Sequence, residues 1–594
     1  MKYSINRRTF LCGTTALGGT AAFASWFPAW AKPVSAGIVR PLPTLSGENI
    51  HLKIAHQMMT IDGRESHAIG MNGTVPAPLI RLREGQKVRI HVQNDLDEDS
   101  SIHWHGLILP FHMDGVPGVS FPGIKPRSTF VYEFPIVQSG TYWYHSHSGL
   151  QEQLGHYGPI VIDPAGQDPI KSDREHVIVL SDHSQMHPHI IARKLKQQGG
   201  YFNRQKQTLA SLLAGKDQPL SERFEWSAMR MDPTDISDVT GSTYSYLVNG
   251  HGPLDNWTAL FVPGEKVRLR IINASAMTTF NFRIPGLRLT VVQADGLAVR
   301  PVAVDEIQVA VAETYDVIVE PKENVAYTIV GETVDRSGMA RATLAPREGM
   351  VAAVPPLRPR PLADMKDMGM GSMGGAGNCP PEHAAMGHCK PDAGPAHSGM
   401  NHGEAGGMDH SMRDMSLAPG VKDTPTVQSI SPMPVDRMGE PGQGLQDVGH
   451  KVLVYRDLVA VERNPDVRAP SRTLQIHLTG NMERYMWAFD GVKLNEVKKP
   501  IPFTEGERVR VTLVNDTMMG HPIHLHGHFF ELVTGHGDYA PRKHTIQVQP
   551  GGTATFDFTA DAVGDWAFHC HLLYHMHAGM MQVVTVRPRK GSAS

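Results

Sequence analysis

One pattern occurs three times in this chain: Glu84-Gly85-Gln86-Lys87-Val88-Arg89-Ile90-His91-Val92-Gln93-Asn94, Pro263-Gly264-Glu265-Lys266-Val267-Arg268-Leu269-Arg270-Ile271-Ile272-Asn273 and Glu505-Gly506-Glu507-Arg508-Val509-Arg510-Val511-Thr512-Leu513-Val514-Asn515. Each copy begins with a glycine turn and continues with alternating apolar and polar residues, the period of a half-buried strand. A second repeat aligns 129–145 with 553–569 without a gap. Short strands, Gly/Pro turns and few helical periods predict an all-β chain built of β-sandwiches.

The repeats divide the 594 residues, too many for one hydrophobic core, into domains that we place at about 45–165, 170–345 and 425–590. A helical insertion near 190–215 is expected to decorate the second domain. Residues 355–424, between the second and third domains, are rich in Gly, Met and His. They have too little apolar volume for a core, so we expect a mobile linker.

Residues 1–31 are typical of an export signal. The pair Arg7-Arg8 precedes an apolar run and the small-x-small cleavage site Ala29-Trp30-Ala31. Paired arginines followed by Phe10-Leu11 resemble the twin-arginine signal, so we expect a periplasmic protein. No later stretch approaches the ~20 apolar residues of a membrane span. A net charge of −3 without a long basic run argues against a nucleic-acid partner, and we expect a monomer.

Histidines occupy matching positions in the first and third domains. The four His-x-His pairs are His103/His105, His145/His147, His524/His526 and His569/His571. At the first offset the second domain has Phe282 and Ile284 instead, so we expect no metal ligands there. Strand period places both members of a pair on one face. A single pair is typical of a partly exposed strand, but eight imidazoles converging between two domains would be costly to bury without metal.

The third domain has Cys570 where the first has Ser146. Three further soft or nitrogen ligands lie close by in sequence, and the predicted set is His521, Cys570, His575 and Met580. Two imidazoles, one thiolate and one weak thioether are the ligands of blue-copper electron-transfer sites. Because Cys570 stands between two cluster histidines, it would connect the electron-accepting copper covalently to the cluster.

Four motifs resemble the copper signatures of the multicopper oxidases: His103-Trp104-His105-Gly106, His145-Ser146-His147, His521-Pro522-Ile523-His524-Leu525-His526-Gly527 and His569-Cys570-His571-Leu572-Leu573-Tyr574-His575 through Met580. The resemblance implies cupredoxin-like Greek-key sandwiches holding four copper ions. It implies a type 1 copper bound by His521, Cys570, His575 and axial Met580, and a type 2 copper bound by His103 and His524. One type 3 copper would be bound by His105, His145 and His571, and the other by His147, His526 and His569.

A narrower resemblance is to the periplasmic copper-resistance multicopper oxidases of Gram-negative bacteria. It rests on the export signal, the linker, and the motifs Met229-Arg230-Met231-Asp232-Pro233-Thr234-Asp235 and Asn481-Met482-Glu483-Arg484-Tyr485-Met486-Trp487. It implies oxidation of Cu(I) to Cu(II), and also of phenols, with O2 as the acceptor. A periplasmic copper-binding protein is a further expected partner.

Proton supply to the cluster calls for a nearby carboxylate. Our candidate is Asp114, nine residues beyond His105, although an ordinary Asp-Gly turn is the alternative. Some bacterial cuprous oxidases have acidic residues directly after the second type 1 histidine. Here those positions are Met576 and His577, so that relay is not expected. We expect His528 to lie behind the ligands rather than among them.

The electron donor is the open question. Residues 365–415 contain nine Met, five His and two Cys, and these side chains favour Cu(I), so we expect a copper-gathering loop. Cys379 and Cys389 could form a disulfide or bind Cu(I). Four methionines outside the loop could continue a copper path or fill a core: Met229, Met231, Met482 and Met486. The alternatives are a laccase with a phenolic donor and a non-enzymatic copper buffer; a two-domain nitrite reductase would not need all four His-x-His pairs.

Overall fold

The computed structural model describes residues 37–370 and 412–589. The export signal predicted at 1–31, both Cys379 and Cys389, and the middle of the predicted linker lie outside the described residues. Strands dominate the described part and form three successive two-sheet sandwiches, which confirms the predicted all-β fold.

The first sandwich consists of β1 (Thr44–Ser46), β2 (Asn49–Ile61), β3 (Arg64–Met71), β4 (Leu79–Arg83), β5 (Lys87–Asn94), β6 (His103–His105), β7 (Thr129–Pro135), β8 (Gly140–His145) and β9 (Tyr157–Asp163). Its two sheets have the strand orders β1-β4-β9-β8-β6 and β3-β2-β5-β7.

The second sandwich consists of β10 (Arg174–His183), β11 (Ser245–Val248), β12 (Thr258–Leu260), β13 (Val267–Asn273), β14 (Phe280–Arg283), β15 (Leu289–Ala294), β16 (Leu297–Val304), β17 (Glu306–Val309), β18 (Thr314–Val319), β19 (Tyr327–Thr333) and β20 (Met339–Ala345). Its sheets have the orders β11-β10-β13-β18-β15-β16 and β12-β20-β19-β14-β17.

The third sandwich consists of β21 (Val435–Asp436), β22 (Arg472–Asn481), β23 (Met486–Phe489), β24 (Ile501–Thr504), β25 (Arg508–Asn515), β26 (His521–Leu525), β27 (Phe530–Leu532), β28 (Arg542–Lys543), β29 (Thr545–Val548), β30 (Gly552–Thr559), β31 (Gly564–Cys570) and β32 (Met581–Arg587). One sheet has the order β23-β22-β25-β30-β27-β28, with β21 beside β30, and the other has the order β24-β32-β31-β26-β29.

The threefold repeat forms β5, β13 and β25, each an inner strand of its sheet. Each ends in a fully buried asparagine whose side-chain amide donates to a backbone carbonyl beyond its own strand: Asn94 to Ile124, Asn273 to Val309 and Asn515 to Val548, at 2.9, 2.9 and 3.1 Å. A buried amide must find such partners. The same amides of Asn94 and Asn515 donate to the carbonyls of Glu98 and Met519, at 2.8 and 2.6 Å. The asparagine therefore fastens the turn that precedes the histidine-bearing strand in the first and third sandwiches.

Helices are few: α1 (Pro188–Gln197), α2 (Leu209–Leu213), α3 (Leu220–Ala228) and α4 (Leu573–Ala578). The first three form the helical insertion predicted near 190–215, which extends further along the chain than expected. No helix in the described ranges is long and apolar enough to cross a membrane.

We expected a mobile linker at 355–424, but its described ends pack against neighbouring parts of the protein. Ala363 and Met368 are buried at one end, and Ala418 and Val421 are buried at the other. The reason is that methionine and alanine side chains there find a neighbouring apolar surface on the insertion and on the third sandwich.

Candidate metal centre

The four His-x-His pairs are carried by two equivalent strand pairs. In the first sandwich β6 runs antiparallel to β8, with His103 opposite His145. In the third, β26 runs antiparallel to β31, with His524 opposite His569. Alternation along the strand then turns both members of each pair to one face. The two faces meet, and the structure brings all eight imidazoles together at the boundary between the sandwiches.

Within each trio that the family resemblance implies, the rings are neighbours. Rings of different groups also approach closely, since His103 and His526 have centroids 3.9 Å apart, as do His105 and His524. His105, His145 and His571 have ring centroids 4.9–5.6 Å apart. A second group, His147, His526 and His569, has centroids 5.0–5.2 Å apart. The remaining two rings, of His103 and His524, have centroids 5.8 Å apart beside them.

Outward-facing nitrogens of the cluster are fixed by hydrogen bonds. The acceptors for Nδ1 are the Asp114 carbonyl for His103 at 2.7 Å, the Ser146 carbonyl for His145 at 3.0 Å, the His544 carbonyl for His524 at 2.6 Å, Asp114 Oδ2 for His526 at 2.9 Å and the Cys570 carbonyl for His569 at 3.0 Å. Glu152 Oε2 also lies 2.8 Å from Nδ1 of His145. Each acceptor fixes the tautomer with the proton on Nδ1, so Nε2 carries a lone pair.

Those lone pairs converge on one another. Among the described residues no hydrogen-bond partner reaches the inner nitrogens of His103, His105, His145, His147, His524 and His571. The inner nitrogens of His526 and His569 face each other at 3.0 Å, although both are acceptors. Buried lone pairs at such a distance repel unless a cation lies between them. The donor set therefore fits metal ions that prefer imidazole, copper among them.

Burial also keeps several of these imidazoles neutral. Desolvation, followed by the neighbouring histidines, lowers the pKa of His105 and of His145 well below the ordinary value. The pKa of His569 falls to about 4, again mainly through burial. Because a neutral imidazole is the ligand form, the folded cluster is ready for metal over the whole neutral range.

The second predicted site is formed by His521 on β26, Cys570 at the end of β31 and His575 on α4. The Cys570 Sγ lies 3.6 Å from His521 Nδ1 and 3.9 Å from His575 Nδ1, and the two nitrogens are 3.2 Å apart. All three residues are buried. Met580 is also buried, and its carbonyl accepts from the Cys570 backbone N–H at 3.1 Å, which holds it beside the site.

Hydrogen bonds turn both imidazoles of this site toward the sulfur. Thr517 Oγ1 lies 2.7 Å from His521 Nε2, and Asp238 Oδ2 lies 2.7 Å from His575 Nε2. Burial raises the pKa of the Cys570 thiol far above its usual value, so a metal must displace the proton to bind the thiolate.

Sequence reasoning missed Asp238, which belongs to the second sandwich, the one without predicted copper ligands. Besides His575, its carboxylate accepts from the Tyr485 hydroxyl at 2.7 Å. Trp487 stacks on the His575 ring at a centroid distance of 3.7 Å. Asp232, Asp235 and Asp238 recur every third residue after the Met229–Met231 motif, and that spacing was the available signal.

The predicted proton donor and the predicted outer histidine both lie at the cluster. Asp114 is buried, with Oδ2 at 2.9 Å from His526 Nδ1 and Oδ1 at 3.3 Å from His103 Nδ1. His528 lies behind the ligands, and its Nδ1 is 3.0 Å from the carbonyl of His526.

Two further contacts were not foreseen. Glu152 is buried against His145, as given above. The Thr545 hydroxyl lies 3.2 Å from His105, 3.3 Å from His524 and 3.1 Å from His544. The hydroxyl therefore lies between these three rings.

A methionine cluster lies on the insertion side of this region, packed around the buried Trp226. Its members are Met229, Met231, Met365, Met368, Met370, Met412, Met482 and Met518. An adjoining cavity of about 600 Å³ is lined by Met231, Met482, Trp226 and Asp235, among others. The fourth methionine singled out from the sequence, Met486, begins β23 outside this cluster.

Asp235 forms part of the inner wall of that cavity. It is buried, and one of its carboxylate oxygens has no hydrogen-bond partner among the described residues. Burial, with help from Asp238 and Asp232, raises the pKa of Asp235 to about 8.

Comparisons with known proteins agree with this geometry. Multicopper oxidase family models match residues 53–167, 175–349 and 467–590. The chain is 48% identical to copper resistance protein A of Escherichia coli, over 99% of this chain and 100% of that protein. It is also 48% identical to a copper resistance protein A homologue of Pseudomonas syringae pv. tomato, over 98% and 99% of the two chains.

Solved structures share the fold at lower identity. Fet3p, described as a multicopper oxidase that functions in iron import, matches with a TM-score of 0.61 and 19% identity, over 91% of this chain and 90% of its own. A multicopper oxidase from Campylobacter jejuni, described as a metallo-oxidase, matches with a TM-score of 0.57 and 18% identity, over 94% and 96%. These matches confirm the cupredoxin-like architecture.

Proposed function

The chain belongs to the multicopper oxidase family, and on that premise we propose that it oxidises Cu(I) to Cu(II) and passes the electrons to dioxygen, which is reduced to water. The acceptor takes four electrons and each Cu(I) gives one, so electrons must be stored between donor and acceptor. Bound copper would supply that storage and the site at which O2 is reduced. Copper detoxification is the physiological role that we propose.

We assign the ligands as the sequence predicted them. His521, Cys570, His575 and Met580 would hold a type 1 copper, and His103 and His524 a type 2 copper. The type 3 pair would be held by His105, His145 and His571 and by His147, His526 and His569. Support comes from the inward-facing nitrogens of these histidines, which are buried and directed at one another.

Cys570 is the proposed electron conductor. It is preceded by His569 and followed by His571, one from each trio, so covalent bonds join the sulfur to both. The backbone of β31 and the start of α4 hold these three residues in one geometry. Asp238 and Thr517 keep the type 1 imidazoles turned toward the sulfur, as described above.

The observation that carries the choice of Cu(I) as donor is the methionine-lined cavity beside the type 1 site. Thioethers bind Cu(I) in preference to harder cations, and Met231 and Met482 line the cavity together with the unpartnered carboxylate of Asp235. Asp238 interacts electrostatically with Asp235 and contacts His575. Asp235 and Asp238 therefore form a polar route from a Cu(I) ion in the cavity to His575 of the type 1 site.

Both described ends of the linker contribute to the same methionine cluster. Met370 precedes and Met412 follows the part of the linker outside the described residues, and both pack against the cluster around Trp226. We propose that the linker gathers copper and delivers it to this cavity.

Phenol oxidation is proposed as the slower activity. His575 is fully buried, its Nε2 is covered by Asp238, and Trp487 stacks on its ring. A phenol therefore cannot contact the edge of this imidazole. A metal ion in the cavity does not need that contact.

Asp114 is the proposed proton donor at the oxygen-reducing end, because its buried carboxylate contacts two cluster histidines. We further propose that the protein acts in the periplasm after export by the twin-arginine route, as the motif in 1–31 predicts.

The test is steady-state oxygen uptake with Cu(I) and with a methoxyphenol. In Met231→Leu/Met482→Leu, a change that keeps side-chain volume, kcat/KM for Cu(I) should fall by about tenfold or more, the scale on which altered metal surroundings act, and phenol turnover should not change. Met71→Leu, in the core of the first sandwich, is the matched control. Equal loss for both donors would remove the support for Cu(I). In Cys570→Ser, retained blue colour or full turnover would contradict the whole mechanism.

A further inference from the structure

Exposed imidazoles gather where the first sandwich meets the second, apart from the copper ligands assigned above. His56 on β2 and His67 on β3 are both exposed, and His56 Nδ1 lies 3.1 Å from His67 Nε2. Ser66, next to His67, is joined to His183 of the second sandwich by a buried 2.8 Å hydrogen bond. This contact holds β3 against the second sandwich, although Ser66 and His67 point to opposite faces of the strand.

The second sandwich adds two exposed imidazoles at the start of α1. His187 and His189 stack with ring centroids 5.4 Å apart and planes at 19°. His187 lies close enough to His67 to affect its ionisation. The patch therefore combines histidines from two domains, and the assigned copper sites use none of them.

The geometry of the pair suits one metal ion. Two imidazole nitrogens bound at right angles at about 2.0 Å from a metal are roughly 2.9 Å apart, and the observed separation is 3.1 Å. Met58 stands directly opposite His67 across the strand pair and is 60% exposed. Alternation places His56 and Met58 on the same face, so a thioether lies beside the two nitrogens.

Two of these imidazoles, His67 and His187, are also held in the neutral form that binds metal. Partial burial, then His56 and His187, lowers the pKa of His67 below its ordinary value. The pKa of His187 is lowered by partial burial and by His189, against an opposing effect of Glu98. Neutral rings leave a lone pair available at neutral pH.

We propose that His56 and His67 form a surface site for Cu(II), with His187 as the nearest additional imidazole. Among common divalent ions Cu(II) binds nitrogen ligands most tightly and accepts the right-angle geometry. Helix α1 runs from this patch to Gln197 at the methionine-lined cavity, about 12 Å at 1.5 Å per residue. The thioethers at the cavity end of α1 suit Cu(I), and the imidazoles at its other end suit Cu(II). If the patch receives the Cu(II) that the enzyme produces, that role rests on the proposed function, whereas Cu(II) binding at the patch does not.

The experiment is a titration of Cu(II) into the copper-loaded full-length protein. Binding is measured by calorimetry and by the difference between the electron paramagnetic resonance spectra before and after Cu(II) is added. In the wild type we expect added Cu(II) to give a signal with nitrogen hyperfine structure. In His56→Gln/His67→Gln this binding should weaken by more than about 10- to 100-fold, the cost of losing even an outer partner of a metal ligand.

The control is His51→Gln/His91→Gln. These two are also neighbours on adjacent strands, His51 exposed and His91 half-buried, but their rings stack at 4.6 Å and 13°, so their nitrogens lie in parallel planes and do not face each other. The control should bind like the wild type. Wild-type affinity in His56→Gln/His67→Gln, or an equal loss in the control, would mean that the 3.1 Å contact is only an N–H···N hydrogen bond. Repeating the titration in Cys570→Ser separates the two proposals, because this binding should persist without oxidase turnover.

Discussion

The carboxylate of Asp238 lies 2.7 Å from Nε2 of His575. The two residues are 337 positions apart and belong to different sandwiches. The Tyr485 hydroxyl donates to the same carboxylate oxygen. This contact turns Nδ1 of His575 toward Cys570, so the second sandwich, without ligands of its own in the predicted set, orients a ligand of the third.

Replacing Asp238 should slow electron entry without removing the type 1 site. In Asp238→Asn we expect Cu(I) turnover to fall about 10- to 100-fold, as for other partners of metal-binding histidines, while the blue absorption remains. Tyr485→Phe, which leaves the Asp238–His575 contact in place, should have a smaller effect. Stopped-flow reduction by Cu(I) measures both. An unchanged reduction rate in Asp238→Asn would contradict the proposed route.

Asp235 should make Cu(I) binding depend on pH. Burial raises its pKa to about 8, so the carboxyl is mostly protonated at pH 7 and becomes an anion as the pH rises. Below pH 8 the KM for Cu(I) should therefore fall by about tenfold for each unit of pH, and it should level off above pH 8. In Asp235→Asn the profile should be flat. A profile that is the same in both proteins would show that Asp235 does not meet the ion.

Asp114→Asn should act at the oxygen-reducing end alone. Loss of a positioned proton donor costs about 100-fold or more in rate, so turnover with Cu(I) and with a phenol should fall by the same factor. Anaerobic reduction of the blue centre should keep its wild-type rate. A loss confined to one donor would instead assign Asp114 to substrate binding.

Removing the Lys543 ammonium should strongly destabilise the fold. Its Nζ lies 3.0 Å from Asp295 and 3.2 Å from Glu313, and all three side chains are buried. Lys543→Met would leave two buried carboxylates unpaired, at a cost of about 3–5 kcal/mol. Thermal unfolding of the copper-free protein measures this.

The control for Lys543→Met is Lys125→Met, whose partner is Asp99 in an exposed ion pair. Such a pair contributes at most about 1 kcal/mol. Similar shifts of the unfolding temperature in the two variants would show that the buried cluster is not stabilising.

The sequence by itself determined the all-β fold and the proposed ligands, because both depend on local periods. Alternation in 84–94, 263–273 and 505–515 marked inner strands of the sheets, and the fixed offsets from Asn94 and Asn515 located the histidines. These offsets need no knowledge of how the domains pack. The predicted trios come together because matching strands place their histidines at matching ends.

Tertiary structure alone decided what surrounds those ligands. His526 meets Asp114 across 412 positions, and His105 meets Thr545 across 440. Such contacts depend on the packing of domains, and a single polar residue leaves no periodic trace in the sequence. The packed ends of the linker were missed for the same reason. Periodicity identified the histidines and the cysteine, whereas the docking of the sandwiches supplied the partners that orient His105, His526 and His575.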